Sequence, residues 1–184
     1  MDHEENRPLS SSATASDWLN QVVVREIRQD DLPALEWDGE YRHLRRVYAH
    51  AYHSHRSGQA MLWVAELAHT GIIGQIFLQL NSERLEWADG INRAHIYSFR
   101  IKPAYRGSGL GSLMLQKAED FLIARSYRYV TLNVAKNNPE AQRLYERHGF
   151  RIVAHEAGCW TYPDDKGIWQ DVVDPAWRME KSLS

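Results

Sequence analysis

The chain has 184 residues, of which 43% are hydrophobic and 25% are charged, so it is long enough to bury one sizeable core. The formal net charge of −2 gives no basis for a nucleic-acid footprint, which needs a clustered basic excess. Cys159 is the single cysteine, which excludes an internal disulfide framework, and no apolar run approaches the roughly eighteen residues that span a membrane. We therefore expect a cytoplasmic protein with neither a nucleic-acid nor a membrane partner.

Residues 1–17 combine acidic side chains with the run Ser-Ser-Ser-Ala-Thr-Ala-Ser, and they lack the basic start and apolar centre of a secretory signal. This composition predicts a disordered tail. No internal repeat or low-complexity linker follows, so residues 18–184 are expected to form a single domain.

The first elements alternate between strand and helix patterns. The β-branched run 22–27 predicts a strand, after which Asp30 or Asp31 caps a short helix that Gly39 ends. Residues 40–56 predict a second helix by their apolar spacing. Its stripe comprises Leu44, Val47, Tyr48, Ala51 and Tyr52.

Histidines near the end of this second helix raise the question of a metal site. At most one pair among His50, His53 and His55 shares a helix face, and no cysteine or carboxylate completes a set nearby. Cys159 likewise has no neighbour that marks it as an activated nucleophile. We therefore expect no bound metal.

Residues 61–67 and 72–80 predict a hairpin, and the polar residues 81–92 predict a loop. A strand over 94–102 then precedes a helix over 109–125. The turn between these two elements consists of Arg106, Gly107, Ser108, Gly109, Leu110 and Gly111.

This glycine-rich turn predicts a seat for a phosphate or pyrophosphate. Glycines let the backbone turn tightly and approach a ligand, while a helix start offers unpaired N–H groups and a dipole that favours negative charge. A P-loop is excluded because Ser112 and Leu113 follow the last glycine. A dinucleotide fingerprint is excluded because the glycines are spaced G-x-G-x-G. The remaining pattern is R-x-x-G-x-G.

The last third of the chain predicts strands over 129–134, 150–155 and 177–183, with an aromatic and acidic stretch at 160–174. Residues 138–149 predict a short helix with a capping asparagine, a proline at its first position and a glycine stop. Its apolar face comprises Ala141, Leu144, Tyr145 and His148. Alternating strands and helices favour a mixed α/β sheet with helices on both faces.

Residues 138–150 match every fixed position of N-x-x-A-x-x-L-Y-E-x-x-G-F, a motif of the GNAT superfamily of N-acyltransferases. The R-x-x-G-x-G run at 106–111 resembles the acyl-CoA pyrophosphate loop of the same superfamily. With both motifs in order, the resemblance spans residues 21–183 and is strongest over 94–150. It implies the GNAT fold, an α/β (α+β) architecture whose mixed, mostly antiparallel central sheet carries helices on both faces and splays open where acyl-CoA enters.

The resemblance also implies how acetyl-CoA is held. The backbone N–H groups of the glycine-rich turn would bind the pyrophosphate, and the Arg106 side chain would add charge. The preceding strand would pair with the pantetheine arm through Phe99, Arg100 and Ile101, and the Ile101 main chain would polarise the thioester carbonyl. Asn138 caps its helix and is expected to contact the arm.

Two residues are candidates for proton transfer. Tyr145 matches the motif position whose hydroxyl lies near the CoA sulfur in many members, and a phenol with a pKa of ~10 can donate at neutral pH. The alternative for Tyr145 is a core aromatic. His95 stands where some members carry a glutamate base, and Tyr97, on the same strand face, could order a water. The alternative for His95 is a surface or hydrogen-bonded histidine, and Asn133 could orient a substrate without accepting its proton.

The acceptor amine is expected beside the first helix pair and the last strands, where the resemblance puts the acceptor cleft. Acidic and aromatic side chains there could meet a cationic amine by charge and cation–π contact. The candidates are Glu36, Trp37, Asp38, Tyr41, Asp164 and Asp165. The alternative is an exposed turn between helices and a solvated loop.

The sequence thus predicts an enzyme that transfers acetyl from acetyl-CoA directly to a primary amine of a small molecule or peptide, as a monomer or homodimer. Direct transfer is favoured because no Ser–His or Cys–His arrangement is evident for a covalent intermediate. One alternative is a non-catalytic acyl-CoA-binding sensor, which would tolerate the missing glutamate at position 95. Another is a nucleotide-phosphate-binding enzyme, which would need a magnesium-binding Ser or Thr and a partner Asp.

Overall fold

The computed structural model describes residues 17–183, so the predicted tail lies, apart from Asp17, outside the described residues. The strands are β1 (Val22–Glu26), β2 (Ala60–Leu67), β3 (Gly71–Gln79), β4 (Arg93–Ile101), β5 (Tyr129–Ala135), β6 (Arg151–Glu156), β7 (Cys159–Pro163), β8 (Trp169–Val173) and β9 (Ala176–Ser182). The α-helices are α1 (Arg45–Arg56), α2 (Leu110–Ala124) and α3 (Pro139–Arg147). Short 3-10 segments lie at Leu19–Gln21, Gln29–Gly39, Arg42–Leu44 and Pro103–Tyr105. Within residues 17–183, none of the helices combines the length and apolar character needed to cross a bilayer.

Seven strands form one sheet in the order β1-β2-β3-β4-β5-β9-β6, while β7 and β8 form a separate hairpin. Neighbouring strands are antiparallel except for β4 and β5, which run parallel. The mixed, mostly antiparallel sheet confirms the predicted fold class.

The parallel pair β4–β5 is joined over only part of its length. The register begins at Arg93 opposite Tyr129 and ends at Ile96 opposite Leu132. β4 continues to Ile101 and β5 to Ala135, so the second half of β4 does not pair with the second half of β5. The sheet therefore opens between these strands at their carboxyl ends.

Each face of the sheet carries its own core because side chains alternate along every strand. In β2, Trp63 and Ala65 belong to the core under α2, whereas Leu62 and Val64 belong to the core under α1. These four side chains are at most 1% exposed. Burying a large apolar side chain contributes about 1.5–3 kcal/mol, so both helices are held firmly on opposite faces.

The predicted helical stretch before β2 is more broken than the sequence pattern indicated. The segment Gln29–Gly39 is a 3-10 helix, and Trp37 and Asp38 have left-handed backbones with φ of 46° and 57°. α1 consequently begins at Arg45, five residues later than expected. The predicted apolar stripe is confirmed, since all five residues belong to or pack on the core under α1.

The aromatic and acidic composition of residues 160–174 did not predict the hairpin of β7 and β8. Its turn is closed by Asp164, whose Oδ1 accepts N–H bonds from Lys166 and Ile168, both 2.9 Å long. Tyr162 packs against the core under α1, so the hairpin covers that side of the sheet.

Candidate active site

A cavity of about 330 Å³ occupies the opening between β4 and β5, beside α3. Its lining residues are Ile96, Tyr97, Ser98, Phe99, Arg100, Leu132, Asn133, Val134, Ala135, Asn138, Ala141, Tyr145 and Asp174. Most of the site residues predicted from β4, β5 and α3 therefore meet in one place. Ile101, His95 and the glycine-rich turn lie outside this lining.

The cavity borders a strand edge that has lost its neighbour. β4 pairs with β3 on one side, but beyond Ile96 it has no pairing with β5 on the other. An unpaired edge presents N–H and C=O groups that an extended ligand can bind as a strand would. This free edge lines the cavity over residues 97–100.

A β-bulge at Ser98 changes which side chains of β4 face each core. The register with β3 shifts between Tyr97 and Arg100, and Ser98 has a φ of 49°. Bulges re-aim the side chains that follow them. As a result, Tyr97 and Arg100 both contact the α1 side, while Phe99 and Ile101 pack on the α2 side.

The glycine-rich turn leaves the start of α2 without a side-chain cap. Gly109 is the N-cap residue in a left-handed conformation with a φ of 94°, which a glycine adopts at no steric cost. By contrast, α3 is capped by Asn138, whose Oδ1 accepts an N–H bond from Ala141 at 3.2 Å. The first N–H groups of α2 are therefore available to an anion at the positive end of the helix dipole.

The turn is held close to β4 and α3. The Arg106 Nε donates to the Ile101 carbonyl at 2.8 Å, which fixes the turn to the end of β4. At Gly111 a Cβ atom would come within 3.3 Å of the Leu144 side chain and 3.5 Å of the Ile101 side chain. The missing side chain thus lets the start of α2 lie directly against α3 and the end of β4.

Tyr145 lies on the buried face of α3 and lines the cavity. Its ring is 8% exposed and lies 5.9 Å from the Phe150 ring and 6.4 Å from the Phe99 ring. Burial raises the pKa of Tyr145 above its ordinary value. The phenol therefore keeps its proton across the physiological range and can donate it.

Asn133 contributes an unused polar atom to the same cavity. Its Oδ1 is buried and, within residues 17–183, has no hydrogen-bond partner. A buried acceptor without a partner costs about 1–3 kcal/mol, so this atom is suited to meet a donor from a bound ligand.

His95 lies outside the cavity lining and is 3% exposed. Its ring stacks on Trp87 with 4.7 Å between centroids, and its Nδ1 lies 2.8 Å from the Thr131 Oγ1. The Thr131 hydroxyl donates its one proton to the Trp87 carbonyl at 2.9 Å, so the His95 Nδ1 is the donor of this pair. Burial lowers the pKa of His95 from 6.5 to about 3. These contacts match the hydrogen-bonded alternative, and the role of general base stays a prediction.

Three of the four acidic residues predicted for the acceptor, Glu36, Asp164 and Asp165, are already engaged. Glu36 accepts two hydrogen bonds from Arg45, at 2.6 and 2.9 Å, and this contact lowers the pKa of Glu36. Asp165 lies 3.5 Å from Arg42. The Tyr41 ring meets Trp37 edge-on at 5.0 Å, so these aromatics pack together rather than form an open cage.

Two charged cavity residues were not recognised as such from the sequence. Arg100 was assigned only a backbone role, and its guanidinium lies 4.4 Å above the Tyr41 ring. Asp174, in the turn between β8 and β9, is the one carboxylate among the lining residues. The sequence could not place these two opposite charges at the cavity, because the bulge in β4 and the hairpin of β7 and β8 bring them there.

The family model for the acetyltransferase (GNAT) family matches residues 23–150. The chain belongs to this family. One similar curated relative is an uncharacterised N-acetyltransferase, YycN, of Bacillus subtilis, 28% identical over 90 residues that make up 49% of this chain and 54% of the relative. The chain spans about half or less of the length of the first curated relatives it matches.

Solved structures share the GNAT fold at low sequence identity. Ard1 from Thermoplasma volcanium has a TM-score of 0.67 and 19% identity, covering 89% of this chain and 99% of that one. The spermidine N-acetyltransferase from Vibrio cholerae, solved with CoA and spermine, has a TM-score of 0.63 and 20% identity, covering 89% and 96%. At these identities the likeness establishes the fold alone.

The GNAT chain also contains a Ser–His contact that its sequence did not reveal. Ser112 Oγ lies 2.8 Å from His148 Nε2, joining the start of α2 to the end of α3. Neither residue lines the cavity.

No group of three or more His, Cys, Asp or Glu side chains suited to a metal ion occurs in residues 17–183.

Proposed function

We propose that this GNAT protein transfers an acetyl group from acetyl-CoA directly to a primary amine. The observation that carries the proposal is the opening between β4 and β5, next to the uncapped start of α2. The opening provides an unpaired strand edge for the pantetheine arm, and the helix start provides N–H donors for the pyrophosphate. The family to which the chain belongs uses acetyl-CoA.

The proposed reaction is a single displacement. The amine nitrogen forms a bond to the thioester carbon, the C–S bond breaks, and the sulfur leaves as a thiolate that takes up a proton. A cationic acceptor loses one proton before the attack, and the nitrogen loses a second as the amide forms, so one proton is released overall once the thiolate has been protonated. Holding both reactants in one cavity makes the attack effectively intramolecular, which lowers the barrier.

Tyr145 is proposed as the acid that protonates the thiolate. It lies in the cavity wall, and burial keeps its hydroxyl protonated. A positioned general acid contributes typically 10²–10⁴-fold to a rate. The same burial is expected if Tyr145 is only a core aromatic. The activity of a Tyr145 variant must therefore distinguish the acid role from the packing role.

Asp174 is proposed to attract the cationic acceptor and to receive its proton directly or through water. It is the carboxylate of the cavity lining, and the pairs of Glu36 with Arg45 and Asp165 with Arg42 leave those carboxylates less available. His95 remains the predicted alternative base, although a neutral ring with a pKa of about 3 is a weak proton acceptor.

Release of free CoA tests the proposed function. Purified protein is mixed with acetyl-CoA and a broad amine panel, and the free thiol is followed with a chromogenic disulfide. We expect release that depends on both the protein and an amine. Calorimetric binding of acetyl-CoA without any release would contradict the proposal and support the acyl-CoA sensor.

A further inference from the structure

Arg100 is the exception among the half-buried arginines of residues 17–183. Of the five arginines in that class, four pair with a carboxylate. These four are Arg25 with Asp31, Arg84 with Glu156, Arg93 with Glu180 and Arg178 with Glu156. No ion pair of the described residues includes Arg100. A half-buried charge without an ion-pair partner is available to an anion from outside the described residues.

The guanidinium of Arg100 is positioned but not saturated. Its Nη1 donates to the Tyr48 hydroxyl at 2.8 Å and to the Ser98 Oγ at 3.0 Å, and the Tyr41 ring lies beneath it. A guanidinium carries five N–H groups in a planar fork. Both bonds use Nη1, which leaves the N–H groups of Nε and Nη2 for a second partner. A carboxylate fits such a fork with two parallel bonds.

Ser98 adds a hydroxyl proton at the same place. Its oxygen accepts one bond from Arg100 and another from Gln75 Nε2 at 3.1 Å. With both lone pairs used in this way, the hydroxyl can donate its own proton to a further partner. Ser98 and Arg100 both line the cavity, so this donor is available beside the guanidinium.

The face of the sheet on which Arg100 lies indicates which of the two reactants it meets. The start of α2 and the Phe99 side chain lie on one face, where the proposed function seats the pyrophosphate. Arg100 reaches Tyr48 of α1 on the opposite face. Two reactants that meet in the opening must approach from different sides, so Arg100 faces the acceptor. Nearby Glu36 is paired with Arg45, and Asp174, the carboxylate of the cavity lining, forms no ion pair with Arg100.

We infer that the acceptor carries a carboxylate near its amine, and that Arg100 and Ser98 bind this carboxylate. The inference rests on the proposed function and narrows its acceptor to amino acids or peptides with an acidic group. The inferred acceptor differs from polyamines such as the spermine in the Vibrio cholerae structure, because polyamines carry no carboxylate.

Matched acceptors test the inference. One arm compares α-amino acids with their carboxamides, and a second arm compares dipeptide amides beginning with Asp or Glu with those beginning with Asn or Gln. The readout is kcat/KM from CoA release. We expect one arm to favour the acid at least tenfold, because charge-assisted bidentate bonds are the strong ones. The favoured arm identifies whether the carboxylate belongs to the α-position or to a side chain.

Variants assign the preference to a residue. Arg100→Gln should reduce the acid preference to within about twofold, and Arg100→Lys should restore part of it. Arg125→Gln removes the same charge from an exposed position outside the cavity lining, and it should keep the full preference. Equal use of acids and amides by the unaltered protein, or an unchanged preference in Arg100→Gln, would overturn the inference.

Binding separates this inference from the proposed function. If no acceptor releases CoA, the proposed function fails, and the same pairs are titrated into CoA-loaded protein by calorimetry. The inference then still predicts that the acid binds at least fivefold more tightly than its amide and that Arg100→Gln abolishes the difference. Equal affinities in both arms would overturn it.

Discussion

Burial acts in opposite directions on the two candidate proton-transfer residues. Tyr145 and His95 are both buried, and burial disfavours the charged form of each. The tyrosine therefore retains its proton, while the histidine loses affinity for one. The sequence predicted both as catalytic because motif position carries no information on burial. Trp87, from the loop before β4, stacks on His95, and this long-range contact could not be predicted from strand alternation.

Replacing Tyr145 with phenylalanine tests the acid role. We expect kcat to fall at least 100-fold, because the donor is lost, and the Kd for CoA to change less than threefold, because the ring is kept. Steady-state CoA release and calorimetry measure the two quantities. Tyr105→Phe, outside the cavity lining, is the matched control and should keep its turnover. Full activity in Tyr145→Phe would remove the residue from the mechanism.

The pH dependence of stability tests the buried state of His95. Its folded pKa of about 3 lies below the ordinary 6.5, so the unfolded chain binds the extra proton between these values. Stability should therefore be intact above pH 6.5 and fall as the pH drops below it. At ~1.4 kcal/mol per unit, the loss between pH 7.5 and 5.0 is about 2 kcal/mol.

His95→Gln should remove this part of the pH dependence, and denaturant unfolding at pH 7.5 and 5.0 measures it. The exposed His53→Gln is the control and should keep the slope of the unaltered protein. The comparison stops at pH 5.0 because most carboxylates take up protons only below that pH. An unchanged slope in His95→Gln would mean that the folded protein protonates this ring readily.

At the scale of elements, the sequence predicted the helices and strands whose bounds depend on residues close together in the chain. The sequence predicted α2, α3 and the hairpin of β2 and β3 closely, because periodicity, capping asparagine and glycine stops act within a few residues. The kink at Trp37 and the bulge at Ser98 were not predicted, since neither residue is a type that favours a positive φ. The bulge decides where Arg100 lies, so the acceptor side of the site was the least predictable part.

A side chain at Gly111 tests the close approach of α2 to β4 and α3. Gly111→Val should lower the free energy of unfolding by about 1–3 kcal/mol, because a branched Cβ would press on Leu144 and Ile101. It should also weaken CoA binding at least tenfold by displacing the helix start. Thermal unfolding and calorimetry report the two effects.

Gly107→Ala is the control in the same turn. Nothing lies within 4 Å of a Cβ at Gly107, and its φ is 69°. The substitution should therefore cost only the left-handed backbone, about 1 kcal/mol. Equal losses of CoA affinity in both variants would argue that general strain in the turn, and not the packing of α2, controls binding.

At the scale of the whole molecule, the site exists because one sheet stops pairing halfway. β4 and β5 part after Ile96 and Leu132, and β9 inserts between β5 and β6. The sequence predicted the mixed sheet from its alternating elements and the opening from the family resemblance. The length of pairing between two strands depends on distant contacts, so strand patterns alone do not reveal it.

The most direct measurement follows the backbone amides of ¹⁵N-labelled protein by NMR during titration with CoA. The account predicts the largest shift changes at Gly109, Leu110 and Gly111, with further changes along the free edge at 97–101. Pantetheine, which lacks the pyrophosphate, should shift only the strand edge. Saturable CoA binding that leaves the amides of the glycine-rich turn unperturbed would contradict the account.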